Sequence, residues 1–185
     1  MTKKEEVINS ARELFITYGY KKVSMDEIAK KSGVTKKTIY SYFKDKNELI
    51  KYFLYEEIEK MKKIVEKIEK KKLPAPDKTH NIIYSLLEYR KDNELINRFS
   101  EESDNLSTGI AKECMEILNN TILAEIKRML EKGIENKEIK KCDTDFASFV
   151  IYKMYVAVMF EWNKPLDKKE VTENIMNFLK SGIYN

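Results

Sequence analysis

Between Thr35 and Tyr42 the chain sets Lys36, Lys37, Thr38, Tyr40, Ser41 and Tyr42 almost side by side. Ammonium groups, hydroxyls and phenols at this density suit phosphate oxygens and the edges of bases, whereas a face meant only for water would mix in glutamates. From Ile28 to Lys44 there is no acidic residue. Catalytic chemistry has far less to work with: the chain carries one histidine, no nucleophile motif, no phosphate loop and no spaced His/Cys cluster. Catalytic residues, metal ligands and cofactors are therefore expected to be none, and an enzyme is not indicated.

The residues around this basic run are those needed to hold it. Ser24 stands three before Glu27, a capping box that starts a helix near Met25. Ile28 and small Ala29 give that helix an inner face, and Gly33 supplies a left-handed stop. Thr35 can cap a second helix, on which Ile39 and Phe43 pair inward at i, i+4 and leave the lysines and phenols outward. Two short helices with a glycine turn form the layout of a helix-turn-helix. A small helical hairpin with a merely solvated lysine face has the same spacing and remains the alternative at this level.

The run Val34 to Leu49, VTKKTIYSYFKDKNEL, resembles the recognition-helix signature of the TetR family of bacterial transcriptional regulators. Ala11, Leu14, Phe15, Gly19 and Tyr20 are similar to that family's first helix and its exit, and Ile28-Ala29 with Gly33-Val34 to its helix-turn junction. The match covers about the first third of the chain. It implies an all-α fold with two parts: a three-helix DNA-binding domain over residues 1–46 and a larger helical effector-binding and dimerisation domain over 47–185. The expected DNA-facing set is Ser24, Thr35, Lys36, Lys37, Thr38, Tyr40, Ser41, Tyr42 and, by resemblance, Lys46 as a phosphate grip at the start of a long helix.

Composition agrees with this division. The first 50 residues hold 11 Lys and Arg against 7 Asp and Glu, and the remaining 135 hold 24 against 24, so the net charge of +4 sits wholly in the first segment. That asymmetry suits a polyanionic partner, here double-stranded DNA. The start MTKKEEVINSARELF has no apolar signal core, so a cytoplasmic protein is expected. Cys114 and Cys142 are too far apart in sequence to suggest a zinc site or a disulfide framework. The apolar run from Phe146 to Phe160 is short of the ~20 residues a membrane span needs and contains Lys153, so no membrane association is expected.

Helical periodicity and breakers predict about nine helices: 4–18, the two reader helices, 46–72, 77–90, 93–102, 110–136, 143–162 and 167–182. Pro74 and Pro76 are expected to close the fourth, residues 103–109 to form a break, and Pro165 to make the last corner. His80 is expected at the surface, near a helix start. The eighth helix is apolar around most of its circumference, which is too much for one buried stripe. A wrapped central helix would explain this, and so would a dimer face. The resemblance implies the latter, a four-helix interface between two copies, for which Phe149, Tyr155, Trp162, Ile175, Phe178 and Leu179 are the candidates. It further implies a small-molecule pocket among the middle helices and a long fourth helix that swings to reset the readers. Candidate wall residues are Tyr84, Glu88, Tyr89, Phe99, Met115, Leu118, Ile122, Tyr152 and Tyr155, suited to a hydrophobic or aromatic effector of unknown identity. A homodimer on an inverted-repeat operator, released by such an effector, is the function expected; a DNA-bound protein that recruits another protein is the alternative.

Overall fold

The computed structural model describes residues 1–104, 109–162 and 168–183. These form α1 (Lys3–Tyr18), α2 (Met25–Ser32), α3 (Lys36–Tyr40), α4 (Lys46–Glu69), α5 (Ala75–Asp92), α6 (Glu94–Asp104), α7 (Gly109–Glu135), α8 (Thr144–Val156) and α9 (Lys168–Gly182). A π-helical turn, Ala157–Glu161, extends α8, and no strand occurs among the described residues. The fold is all-α, as the sequence indicates.

Local chemistry sets most of the boundaries. Thr2 caps α1 in a reciprocal box with Glu5, which moves the start one residue ahead of that expected. Gly19 (φ 84°) and Gly33 (φ 67°) stop α1 and α2 in backbone conformations that side chains with a Cβ resist. Asp143 caps α8 by accepting from the amides of Asp145 and Phe146. The expectation that Pro74 and Pro76 together close α4 needs correction: α4 ends at Glu69, and α5 starts at Ala75 with Pro76 in its first turn. There the missing proline N–H has no intrahelical partner to lose. The expected break at 103–109 falls partly, and the expected corner at Pro165 and first residue of the ninth helix, Asp167, fall wholly, outside the described residues.

The described chain divides into two compact units. The first comprises residues 1–59 and 90–118. Its buried side chains include Val7, Phe15, Ile28, Ile39, Leu49 and Phe53, with Phe15 meeting Phe53 edge-on at 6.0 Å and Tyr20 at 5.8 Å between ring centroids. Arg12 on α1 donates to Glu56 (2.6 Å) and Glu57 (2.8 Å) on α4.

The second unit comprises residues 60–89 and 119–185. Ile82, Ile83, Leu87, Ile122, Ile126 and Leu130 are among its buried residues. Two expectations are corrected here. His80 lies near the start of α5 but is buried, with Nδ1 2.8 Å from the Tyr155 hydroxyl and its ring stacked on Tyr84. Tyr155, Ile175 and Leu179 are buried inside the chain itself, at 0, 4 and 3 % exposure, so they offer a second copy no free surface. Phe149, Trp162 and Phe178, the other dimer candidates, are exposed. No helix of the described residues is long and apolar enough to cross a membrane.

Candidate nucleic-acid interface

The reader is built by a sequence of caps. Ser24 Oγ accepts the Glu27 amide at 3.2 Å while Glu27 Oε2 accepts the Ser24 amide at 2.7 Å, satisfying two amides that the first turn of α2 leaves open. The bonds from Ser24 hold the Glu27 carboxyl below its ordinary pKa. Asp26 and Glu27 at the N-terminus of α2, and Lys30 and Lys31 in its last turn, both oppose the helix dipole. After Gly33, Val34 donates its amide back to the Ala29 carbonyl (3.3 Å), and Thr35 Oγ1 accepts the Thr38 amide (3.2 Å) to open α3. A five-residue helix cannot stand alone. Buried Ile39 on α3 and buried Phe43 just beyond it, at 0 and 3 % exposure, anchor it.

α3 and the turn after it hold outward the central members of the expected set. Lys36, Lys37, Tyr40, Ser41 and Tyr42 are exposed and Thr38 half so. The tyrosine rings, at 44 and 38 % exposure, present both an apolar face and a hydroxyl. Thr35 and Thr38 join through their hydroxyls at 2.9 Å, and Ser41 donates to the Thr38 carbonyl at 2.7 Å. Lys36 is not idle in this arrangement: its ammonium reaches Asp26 on α2 at 2.9 Å, an exposed pair that phosphate can displace at little cost. Ser24 is exposed, with its hydroxyl and amide committed to the cap. Lys46 points inward, to the carbonyls of Tyr20 (2.8 Å) and Val23 (2.7 Å).

Sequence reading missed Lys4. Its ammonium lies 5.8 Å from the Phe43 ring centre and 5.5 Å from that of Tyr52, beside the end of α3. Nothing in the local pattern could announce a contact between residues so far apart in the chain.

The effector candidates divide between the two units. Phe99, Met115 and Leu118 are buried in the first unit, whereas Tyr84, Glu88, Tyr89, Ile122, Tyr152 and Tyr155 belong to the second. There Tyr152 donates to Asn119 Oδ1 at 2.7 Å, and Tyr155 is taken up by His80. The second unit holds a cavity of about 360 Å³ whose wall includes buried Met61, Val65, Leu86 and Ile122, with Lys62, Glu125 and Arg128 also lining it. Of the nine candidates, Ile122 alone lines it. Among the described residues no group of three or more His, Cys, Asp or Glu could hold a metal ion.

Residues 7–53 match the family model described as bacterial regulatory proteins, tetR family. Over almost the full length the chain is similar to two proteins of Bacillus subtilis (strain 168). It is 31 % identical to the uncharacterized HTH-type transcriptional regulator YhgD over 184 residues, covering 98 % of this chain and 96 % of that one. It is 28 % identical to a fatty acid metabolism regulator protein over 190 residues, covering 97 % and 95 %. The fold is similar to that of a transcriptional regulator from Cytophaga hutchinsonii ATCC 33406, with a TM-score of 0.68 at 21 % identity and 99 % of each chain covered. Capped α2, the glycine turn, an outward basic α3, the match over 7–53 and full-length kinship with a helix-turn-helix regulator converge: the chain belongs to the TetR family of bacterial transcriptional regulators, which are DNA-binding proteins and not enzymes.

Proposed function

We propose that two copies of this chain bind an inverted-repeat operator, repress transcription from it, and leave it when a small apolar molecule occupies the second unit. The observation that carries the DNA half of this reading is the exposed, acid-free face of α3. Lys37 and Lys36 serve phosphates or base edges, Thr38 and Ser41 supply hydroxyls, and Tyr40 and Tyr42 meet backbone and thymine methyls. On this reading residues 1–46 are the DNA-binding domain and 47–185 the effector and dimerisation domain. Exposed Phe146, Phe149 and Val150 on α8, Phe160 on the π-helical turn, Trp162 just after it and Phe178 on α9 supply apolar surface for the second copy. Twofold symmetry then sets two α3 helices about 34 to 36 Å apart in successive major grooves.

The effector half rests on the cavity lined by Met61, Val65, Leu86 and Ile122, whose 360 Å³ lies within the ~300–1,000 Å³ range of small-molecule sites. Its apolar wall, together with the name of the fatty-acid relative, favours an acyl chain. Emptying an operator a hundredfold requires the ligand to prefer the non-binding conformation by about 2.7 kcal/mol, within reach of a few buried methylenes. Fatty acids of graded chain length, titrated into protein bound to a fluorescent duplex, test this. The expected result is a higher melting temperature and loss of duplex binding at the same ligand concentrations, both abolished by Ile122→Trp, which fills the cavity. Ligands that neither stabilise the protein nor release the duplex would refute the effector half and leave DNA binding intact.

A further inference from the structure

A carboxylate stands at the edge of the acid-free α3. Asp26, in the first turn of α2, meets the ammonium of Lys36, the first residue of α3, at 2.9 Å. An acid in that turn suits the helix dipole wherever its side chain points. The dipole does not account for its reaching a cation on the next helix, and Glu27 beside it is committed to the Ser24 cap. Both members of the pair stay open to solution, with side-chain exposures of 72 % for Asp26 and 45 % for Lys36. The bond from Asp26 raises the Lys36 pKa, so the ammonium stays charged.

In a helix-turn-helix the N-terminal residues of the second helix reach base edges. Lys36 opens α3, and the acid it holds goes to the groove with it. Phosphates repel a carboxylate at every sequence. What offsets that repulsion in the major groove is a donor, and the donors there are the exocyclic amines of cytosine and adenine.

Base pairing sets each of these amines beside a keto oxygen. Cytosine N4 donates to guanine O6, and adenine N6 to thymine O4, across about 2.9 Å. That is also the separation of Lys36 Nζ from Asp26 Oδ2. Each amine keeps a second hydrogen, and each oxygen a second lone pair, facing the groove. An ammonium–carboxylate pair laid along this edge, nitrogen over oxygen and oxygen over nitrogen, satisfies all four groups.

We propose that Asp26 and Lys36 read one base pair of each half-site together: Lys36 donates to guanine O6, and Asp26 accepts the free N4 hydrogen of the cytosine paired with it. The pair is therefore read in one orientation. Reversing it, to C·G or A·T, sets an amine under the ammonium and an oxygen under the carboxylate. T·A keeps the matched edge but puts a methyl group where guanine offers N7 to a further Lys36 hydrogen. The order expected is G·C first, T·A second and the two reversed pairs last.

This inference rests on the DNA-binding reading and is separable from it. Selection from a random-sequence duplex library is run with the wild type, Asp26→Ala and Lys36→Met, each checked for helix content by circular dichroism. The wild type should show a position in each half-site with the order above, and both variants should relax that position while keeping the rest of the repeat. Replacing its cytosine by N4-methylcytosine removes the free hydrogen and leaves the pairing intact. Wild-type affinity should then fall about tenfold, whereas Asp26→Ala should bind both duplexes alike. On a scrambled duplex Asp26→Ala should bind more tightly than the wild type, because it brings one negative charge fewer to the phosphates.

A wild type that enriches no sequence overturns the DNA-binding reading, and this inference with it. A wild type whose inverted repeat lacks such a position, or an Asp26→Ala variant that enriches the same repeat with unchanged preferences, overturns the shared reading alone. N4-methylcytosine that leaves the wild type unaffected, or weakens wild type and variant equally, does the same. Should the variants fail to fold, the wild-type selection and its response to N4-methylcytosine decide the question.

Discussion

Glu57 lies at 1 % exposure, where Arg12 Nη1 donates to it at 2.8 Å and Asn93 Nδ2 at 2.7 Å. Arg12→Met removes the cation that faces the buried carboxylate, and breaking a buried pair from one side typically costs ~3–5 kcal/mol. Urea unfolding should show a loss of that order, far above the ≤1 kcal/mol expected for Lys31→Met at the exposed Lys31–Glu13 pair. Equal losses would mean that the Arg12 pair is an ordinary surface bridge. His80 gives a pH test. Burial favours its neutral ring and lowers its pKa, with Asp77 opposing. As pH falls through the unfolded value of about 6.5, the unfolded chain takes up a proton that the folded chain resists. This part of the stability is complete above that pH and declines below it until the folded ring is itself protonated. His80→Gln should flatten the decline; an unchanged stability–pH profile would contradict the buried assignment. Neither residue was legible in the sequence, since their partners lie 45 and 75 positions away. Cap residues were legible because their bonds span three.

The same contrast governs the elements. Ser24, Glu27, Gly33 and Thr35 each determine a boundary through bonds to their own neighbours, so both ends of α2 and the start of α3 could be placed from the sequence to within a residue, whereas α3 stops at Tyr40, short of the Phe43 expected on it. Gly19 placed the end of α1, whereas Pro76 entered α5 instead of ending α4. The surplus of apolar residues on α8 was equally plain, and the structure sorts it: Ile151, Tyr152 and Tyr155 face the chain's own interior, while Phe146, Phe149 and Val150 remain exposed. That Tyr155 on α8 faces inward could not be read, because an all-round apolar helix has no preferred side, and the apolar stripe of α9 does not say whether its own chain or a second copy covers Ile175 and Leu179. Phe178 on α9 is 67 % exposed and Phe149 on α8 is 49 % exposed. Glutamate at both positions should leave helix content unaltered and shift sedimentation from dimer to monomer; a variant that sediments as the wild type does would place the partner surface elsewhere.

At the scale of the whole chain, all of the net charge lies in the first 50 residues. Long-range attraction to DNA therefore acts through the segment that carries α3. This coarse division was legible from counting charges, as was the all-helical fold from its periodicity. The effector site was not, because apolar residues that line a cavity and apolar residues that fill a core obey the same helical spacing. Reading of DNA by α3 in a twofold dimer is tested most directly by incubating the purified protein with a random-sequence duplex library and sequencing what it retains. The expected product is an inverted repeat with half-sites about 10 base pairs, or a multiple of that turn, from centre to centre. Its affinity should fall steeply with salt and weaken on Lys37→Met. Retained sequences without twofold symmetry, or no enrichment above the input library, would contradict it.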